Sequence, residues 1–162
     1  MAFCEWDDSY SIKVPEADEQ HQRLFDLINQ LHEGMTDNDG RATTEAAVDE
    51  MGTIAAVLDE LIRYTSYHFS TEEKYMLDRA YPAYASHKAA HGHFIERVRT
   101  FKRDYEEGRS LRSIEIIQFL KDWLENHIRT MDREFGTFVN KEGQTKGCVS
   151  TRAPASKTTN VL

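Results

Sequence analysis

The stretch HFSTEEKYMLDRAYPAYASHKAAH, residues 68–91, contains the pattern that decides the fold. His68 comes four residues before Glu72, and His87 comes four residues before His91. Side chains at this spacing lie on the same face of an α-helix, about 6 Å apart. A break at a proline separates the two pairs. The stretch therefore predicts two successive helices, each with a pair of polar side chains on one face.

Apolar residues recur at alternating steps of three and four along four segments of the chain, which is the period of one helical face. The predicted helices run from about Asp18 to Met35, from about Thr44 to Asp78, from Pro82 to Gly108, and from near Ser110 onward. Asp18 and Ser110 are the expected N-caps, and Pro82 suits a first helical position. No segment shows sustained strand-like alternation. The pattern predicts an all-α, up-down-up-down four-helix bundle.

The bundle is predicted to occupy residues 1–140. It includes an N-terminal arm, in which Trp6 and Tyr10 are expected to pack against the helices. Residues 141–162 are basic and rich in serine and threonine, and we expect a flexible, disordered C-terminal tail.

The 162 residues carry a formal net charge of −8, which argues against nucleic-acid binding and against anionic membranes. No apolar run approaches the roughly 20 residues that a bilayer span requires. The N-terminus lacks the order of a signal peptide, so we expect a cytoplasmic protein without membrane insertion. Cys4 and Cys148 are expected to be free thiols, because their spacing suggests neither a disulfide framework nor a zinc site.

Every predicted helix carries at least one histidine on its inner face: His21, His68, His87 with His91, and His127. Burying such groups without partners costs about 1–3 kcal/mol each. Metal coordination offsets that cost, and ligands on bundle helices converge in the core. Early and late positions alternate along successive helices, with His21 expected in the first turn, so an antiparallel bundle brings the histidines to similar depth. We therefore predict a metal site inside the bundle.

Asp132 follows His127 by five residues, a rotation of about 140° around an α-helix. It therefore lies on the flank marked by Leu124 and Ile128. It could reach a centre wide enough to span that arc, or a local π-bulge could turn it inward. The spacing alone leaves both explanations open.

The order of a lone histidine, HxxxE, HxxxH and HxxxxD on four successive helices resembles the hemerythrins. The stretches DEQHQRLFDLINQLH, HFSTEEKYM, YPAYASHKAAHGHF and FLKDWLENHI are similar to the bacterial branch of that family. The resemblance covers roughly residues 6–138. Pro15 departs from the glycine of many members, which bears on the path into the first helix and not on the ligands.

The resemblance implies a non-haem di-iron centre with an oxo or hydroxo bridge. It implies seven ligands: His87, His91 and His127 on one iron, His21 and His68 on the other, and Glu72 and Asp132 on both. This set leaves one coordination position open, on the two-histidine iron, as a small ligand requires. Five residues resemble the family's pocket wall, although each could equally be plain core: Leu24, Phe69, Trp123, Leu124 and Ile128.

The function that the resemblance implies is reversible dioxygen binding for storage, delivery or transport, without catalysis. Two alternatives stay open at this point. One is sensing or signalling through a protein partner, which the basic tail could dock; the other is a di-iron oxidase or a nitric-oxide-handling enzyme. Among neighbouring residues, Glu73 is expected to be solvated and His93 to point outward, and His32 lies too far along its helix to join the site.

Overall fold

The computed structural model describes residues 2–36, 44–108 and 113–147 of the chain. Every long element in these ranges is a helix: α1 Pro15–Thr36, α2 Thr44–Asp78, α3 Tyr84–Glu106, α4 Ser113–His127 and α5 Arg133–Gly147. A π-helical turn, Ile128–Asp132, joins α4 to α5, so these three elements together form the predicted fourth helix. Helix α1 packs against α2 and α4, and α2 packs against α3. The predicted all-α four-helix bundle is confirmed.

The start of α1 differs from the prediction. The helix begins at Pro15, whose fixed φ and missing N–H suit a first helical position. Asp18 is therefore inside the helix, and its predicted role as N-cap was wrong. Its carboxylate instead accepts hydrogen bonds from the Ile12 N–H (2.8 Å) and the Ser11 hydroxyl (2.6 Å). These bonds fix the chain where the N-terminal arm enters α1.

The other helix boundaries are close to the predicted ones. Helix α2 spans Thr44–Asp78, as predicted. Helix α3 begins at Tyr84, two residues after Pro82, because Pro82 belongs to the turn that connects α2 to α3. Ser110 lies outside the described residues, so its N-cap prediction is untested. Helix α5 continues to Gly147, and the part of the predicted tail from residue 148 onward, including Cys148, lies outside the described residues.

The N-terminal arm, residues 2–14, packs against the bundle through its aromatic side chains, as predicted. Trp6 and Tyr10 both meet the ring of Phe25 on α1 edge-on, at centroid distances of 5.8 and 5.0 Å. Arg129 donates a hydrogen bond to the Tyr10 hydroxyl at 2.7 Å. At Gly136 the arm and α5 come so close that an added Cβ would lie 2.3 Å from the Ile12 carbonyl oxygen. The arm is thus held by α1 on one side and by the fourth helix on the other.

The core follows the apolar stripes of the four helices. Leu31, Leu58, Val98 and Leu120 are all completely buried, one from each predicted helix. Burial of such a side chain contributes about 1.5–3 kcal/mol, so the aligned stripes account for the association of the helices. None of the helices in the described ranges has both the length and the apolar character needed to cross a bilayer.

Candidate metal centre

Seven polar side chains meet in the interior of the bundle, and all of them are at most 4% exposed. They are the seven predicted from the sequence: His21 on α1, His68 and Glu72 on α2, His87 and His91 on α3, His127 on α4, and Asp132 at the end of the π-helical turn. His21 lies in the second turn of α1 rather than the first, because the helix starts earlier than predicted. The antiparallel arrangement brings the seven residues to one depth.

The potential ligand atoms form two overlapping groups, within each of which all atoms lie within 4.8 Å of one another. One group contains Glu72, His87, His91, His127 and Asp132, and the other contains His21, His68, Glu72 and Asp132. Only the two carboxylates belong to both groups. The division into three and two histidines around shared carboxylates matches the division that the sequence resemblance implies.

Asp132 faces both groups through different oxygens. Its Oδ1 lies 2.9 Å from His87 Nε2 and 3.1 Å from His127 Nε2, and its Oδ2 lies 3.2 Å from His21 Nε2. Glu72 also lies between the groups, but its oxygens are less clearly divided: Oε2 lies 3.4 Å from His91 Nε2 and 3.6 Å from His68 Nε2, and Oε1 lies 3.7 Å from His21 Nε2. Both carboxylates are therefore within reach of both groups.

The π-helical turn explains how Asp132 points inward. In a π-helix the backbone hydrogen bonds run from residue i to i+5, so residues five apart lie on one face. His127 precedes this turn and Asp132 ends it. The sequence left two explanations for Asp132, and the structure shows the local π-bulge.

Three imidazoles of the larger group meet through the same ring atom. His127 Nε2 lies 3.1 Å from both His87 Nε2 and His91 Nε2. Imidazole nitrogen is a good ligand for iron, zinc and copper ions, and the carboxylates add anionic oxygen ligands. Three converging ring nitrogens beside two carboxylates therefore have the chemistry of a metal site.

Unsatisfied polar atoms test whether the residues fit metal ions. In the described part of the chain, seven buried atoms of this cluster lack a hydrogen bond of good geometry: both ring nitrogens of His21, Nδ1 of His87, and all four carboxylate oxygens of Glu72 and Asp132. Leaving one such atom unpaired costs about 1–3 kcal/mol. Coordination of metal ions would satisfy the four carboxylate oxygens and Nε2 of His21, which faces them, so the residues fit a binuclear centre.

The electrostatics of the cluster favour anionic carboxylates. Burial acts to raise the pKa of Asp132, but the imidazoles of His127, His21 and His87 outweigh it and hold that pKa well below its usual range. Burial lowers the pKa of His68 to about 4, so this ring is neutral. Burial also acts to lower the pKa of His21, but the adjacent carboxylates of Asp132 and Glu72 outweigh it and raise that pKa to about 9. In the metal-free protein a protonated His21 thus offsets part of the carboxylate charge.

Two residues outside the cluster contact the far side of ligand histidines. Gln20 Oε1 lies 2.9 Å from His68 Nδ1, and Glu73 Oε1 lies 3.2 Å from His91 Nδ1. The prediction that Glu73 is solvated was wrong, because α3 covers it and leaves 18% of its side chain exposed. Gln20 gave no signal in the sequence, since its partner is 48 residues away.

The other histidines lie outside the cluster. His93 is exposed, as predicted. His32 stacks on Phe3 of the N-terminal arm, with ring centroids 4.5 Å apart, and takes no part in the site.

Two of the five predicted pocket-wall residues contact potential ligands directly. The Phe69 ring stacks on His91 with centroids 3.7 Å apart, and the Trp123 ring stacks on His127 at 4.3 Å. Trp123 is half-buried. The other three, Leu24, Leu124 and Ile128, are at most 4% exposed and belong to the main core.

Fold and site together define a class of protein: a four-helix bundle whose interior holds a binuclear centre of histidines and shared carboxylates. Residues 13–139 match the family model described as the hemerythrin HHE cation binding domain. The chain belongs to the hemerythrin family, which binds dioxygen at a non-haem di-iron centre, and the resemblance seen in the sequence is confirmed.

Individual relatives agree with this assignment. The chain is 36% identical to a bacteriohemerythrin of Stenotrophomonas maltophilia, over 86% of this chain and 83% of that protein. It is 30% identical to a hemerythrin of Sipunculus nudus, over 80% of this chain and 88% of that protein. A crystal structure of a wild-type hemerythrin superimposes with a TM-score of 0.73 at 28% identity, and covers 84% of this chain and 97% of that one.

Proposed function

We propose that this protein binds dioxygen reversibly, for storage, delivery or transport, at a di-iron centre held by the seven clustered side chains. The supporting observation is the pair of overlapping ligand groups that share Glu72 and Asp132 and no histidine. A mononuclear site would not need two carboxylates that both lie between two groups of histidines. The membership of the chain in the hemerythrin family supports the same metal and the same ligand.

The two groups of potential ligands support a division between two irons. His87, His91 and His127 would hold one iron, His21 and His68 would hold the other, and Glu72 and Asp132 would be ligands of both. The position with two histidines would have one protein ligand fewer, so a small ligand would bind beside His21 and His68. When bound, the iron pair supplies the two electrons that reversible dioxygen binding requires.

The surrounding apolar side chains are proposed to keep water from the vacancy. They are the five predicted wall residues, Leu24, Phe69, Trp123, Leu124 and Ile128. Support comes from the burial of four of them and from the stacking of the two aromatic rings on His91 and His127. A dry pocket slows protonation and loss of a charged bound ligand.

We further propose that the protein carries dioxygen without transforming a second substrate. A cytoplasmic location, and a protein partner for the basic tail, stay predictions from the sequence. Steady-state measurements with reductants and dioxygen separate a carrier from an oxidase, because a carrier consumes no more than one dioxygen per di-iron centre.

The central test is anaerobic loading with ferrous iron, followed by metal analysis and exposure to dioxygen. We expect two irons per chain and a charge-transfer absorption band that appears with dioxygen and disappears when it is removed. His127→Ala should lose one iron and the band. His93→Ala is the matched control, because His93 is exposed and should change neither. Retention of both irons and of the band in His127→Ala would show that the ligand assignment is wrong.

A further inference from the structure

Two of the ligand histidines make different hydrogen bonds on the side that faces away from the metal position. His68 Nδ1 lies 2.9 Å from the amide oxygen of Gln20. His91 Nδ1 lies 3.2 Å from the carboxylate of Glu73, whose other oxygen accepts from Lys88 Nζ at 2.7 Å. One histidine of each ligand group therefore has an outer partner, and only the partner of His91 is a carboxylate.

These contacts determine which ring nitrogen faces the metals. A carboxylate and an amide oxygen only accept hydrogen bonds, so Nδ1 of each ring must carry the hydrogen. The lone pair is then on Nε2, which points into the cluster. In His91 this atom lies 3.4 Å from Glu72 Oε2 and 3.1 Å from His127 Nε2. The ring of Phe69, parallel to that of His91 within 3°, fixes the plane of the imidazole.

The two outer partners differ in charge. A carboxylate acceptor makes a stronger, charge-assisted bond than a neutral amide and raises the basicity of the imidazole behind it. Lys88 is 55% exposed and reaches Glu73 from the solvent side, so it orients the carboxylate while water screens much of its own charge. Gln20 is only 5% exposed and offers no charge.

We propose that Glu73 is a positioning residue of the metal centre. It fixes His91 with Nε2 toward the metals, and its charge makes the three-histidine position more electron-rich than the position that Gln20 serves. This inference rests on the proposed di-iron function. It assigns an electronic difference between the two irons to residues outside the ligand set.

The first experiment tests the orientation of His91 in the full chain loaded with Zn²⁺, a diamagnetic probe. Nitrogen-15 spectra of labelled histidine should show a protonated Nδ1 in wild type and in Glu73→Gln, whose amide oxygen can still accept. In Glu73→Ala the Nδ1 proton of His91 loses its acceptor, so its resonance should shift and exchange with water faster than in wild type, and Zn²⁺ binding should weaken by roughly 10- to 100-fold. Glu96→Gln, which changes an exposed carboxylate on the same helix as His91, is the control and should behave as wild type. An unchanged spectrum and affinity in Glu73→Ala would overturn the positioning role.

The second experiment tests the charge, by potentiometry of the iron-loaded proteins. Glu73→Gln removes a negative charge and should raise the midpoint potential, because the ferric state loses stabilisation. Gln20→Glu adds a negative charge and should lower the midpoint potential, whereas Glu96→Gln should leave the potential unchanged. Shifts of equal sign, or no shift, in the first two variants would overturn the electronic part of the proposal. If circular dichroism shows that Gln20→Glu is unfolded, the midpoint potentials of Glu73→Gln and Glu96→Gln are compared instead, and equal potentials would overturn the electronic part of the proposal.

Failure of the proposed function would look different. In that case the wild-type protein would hold two irons and give no reversible dioxygen spectrum, whereas the zinc-bound spectra and the potentials would still report on Glu73.

Discussion

Substitution of Gly136 by alanine is expected to detach the N-terminal arm from the fourth helix. A Cβ at this position would lie 2.3 Å from the carbonyl oxygen and 2.9 Å from the Cβ of Ile12. Contacts under 3.0 Å essentially never occur for real Cβ atoms, and the closest atom here is backbone, which no rotamer change can move. The arm would have to shift by about 1 Å to restore an ordinary van der Waals distance of about 3.5 Å.

The cost of that shift can be bounded from the contacts near Gly136. Overpacking in a well-packed region destabilises by about 1–3 kcal/mol. Alanine stabilises a helix by about 0.5–1 kcal/mol relative to glycine, so its higher helix propensity offsets part of the loss in stability. Asn140 Nδ2, which lies 3.4 Å from the Ile12 carbonyl oxygen, would lose its alignment with the arm. We expect a net loss of about 1–2 kcal/mol, or a decrease in Tm of roughly 2–8 °C for a chain of this size.

Gly92→Ala is the matched control, since Gly92 is an exposed residue of α3 and a Cβ added there would meet nothing within 4 Å. It should gain about 0.5–1 kcal/mol, so the two glycine-to-alanine variants are expected to move in opposite directions. Thermal and urea unfolding of both iron-loaded proteins measures this difference. Because Trp6 of the arm packs near His21, at a centroid distance of 6.2 Å, Gly136→Ala should also release iron to a chelator faster. Equal stabilities of Gly136→Ala and wild type would refute the close approach of arm and helix.

Three further predictions concern the cluster and the buried thiol. Deletion of Thr130, an exposed residue of the π-helical turn, should leave Asp132 four residues after His127, the spacing that places two side chains on one face of a regular α-helix, so metal analysis should still find two ions per chain in a protein that has lost the π-helical turn. In the metal-free protein the raised pKa of His21 gives stability that is complete below pH 6.5 and lost as the pH rises to about 9, so urea titrations should show a decrease on the order of 3 kcal/mol over that range. Burial raises the pKa of Cys4 from 9.0 to about 11, so the thiolate fraction of Cys4 should be about 100-fold lower in the folded protein than in the unfolded chain. Thiol labelling of a Cys148→Ser variant, in which Cys4 is the remaining cysteine, should be slower in the folded protein by the same factor.

The sequence was sufficient for the fold and for most of the cluster, because both depend on helical periodicity. Stripes at steps of three and four identify the inner face of each helix, and the bounds of α2 agree with the structure. His68 with Glu72, and His87 with His91, are on one face at any position in a regular helix. Local geometry therefore placed these four side chains correctly without knowledge of the tertiary contacts.

The features that the sequence did not settle all depend on irregular backbone or on distant contacts. The π-helical turn before Arg133 was one of two open explanations, because no residue in IRTMD requires it. Glu73 was assigned to solvent, since its partners His91 and Lys88 belong to another helix. The requirement for glycine at position 136 comes from Ile12, more than a hundred residues earlier in the chain.

The two shared carboxylates show why metal binding and the fold depend on each other. Glu72 reaches the cluster from a regular helix, whereas Asp132 does so only because a π-helical turn replaces the normal hydrogen-bond spacing of α4 and α5. In the described part of the chain, the four oxygens of this pair are buried without a well-formed hydrogen bond, at about 1–3 kcal/mol each. Binding of Zn²⁺ to the structural site of a zinc finger contributes about 10–16 kcal/mol, and a contribution of that size exceeds the cost of the unpaired oxygens. An irregular turn that directs an unpaired carboxylate into the core is therefore stable in this fold because metal ions complete its interactions.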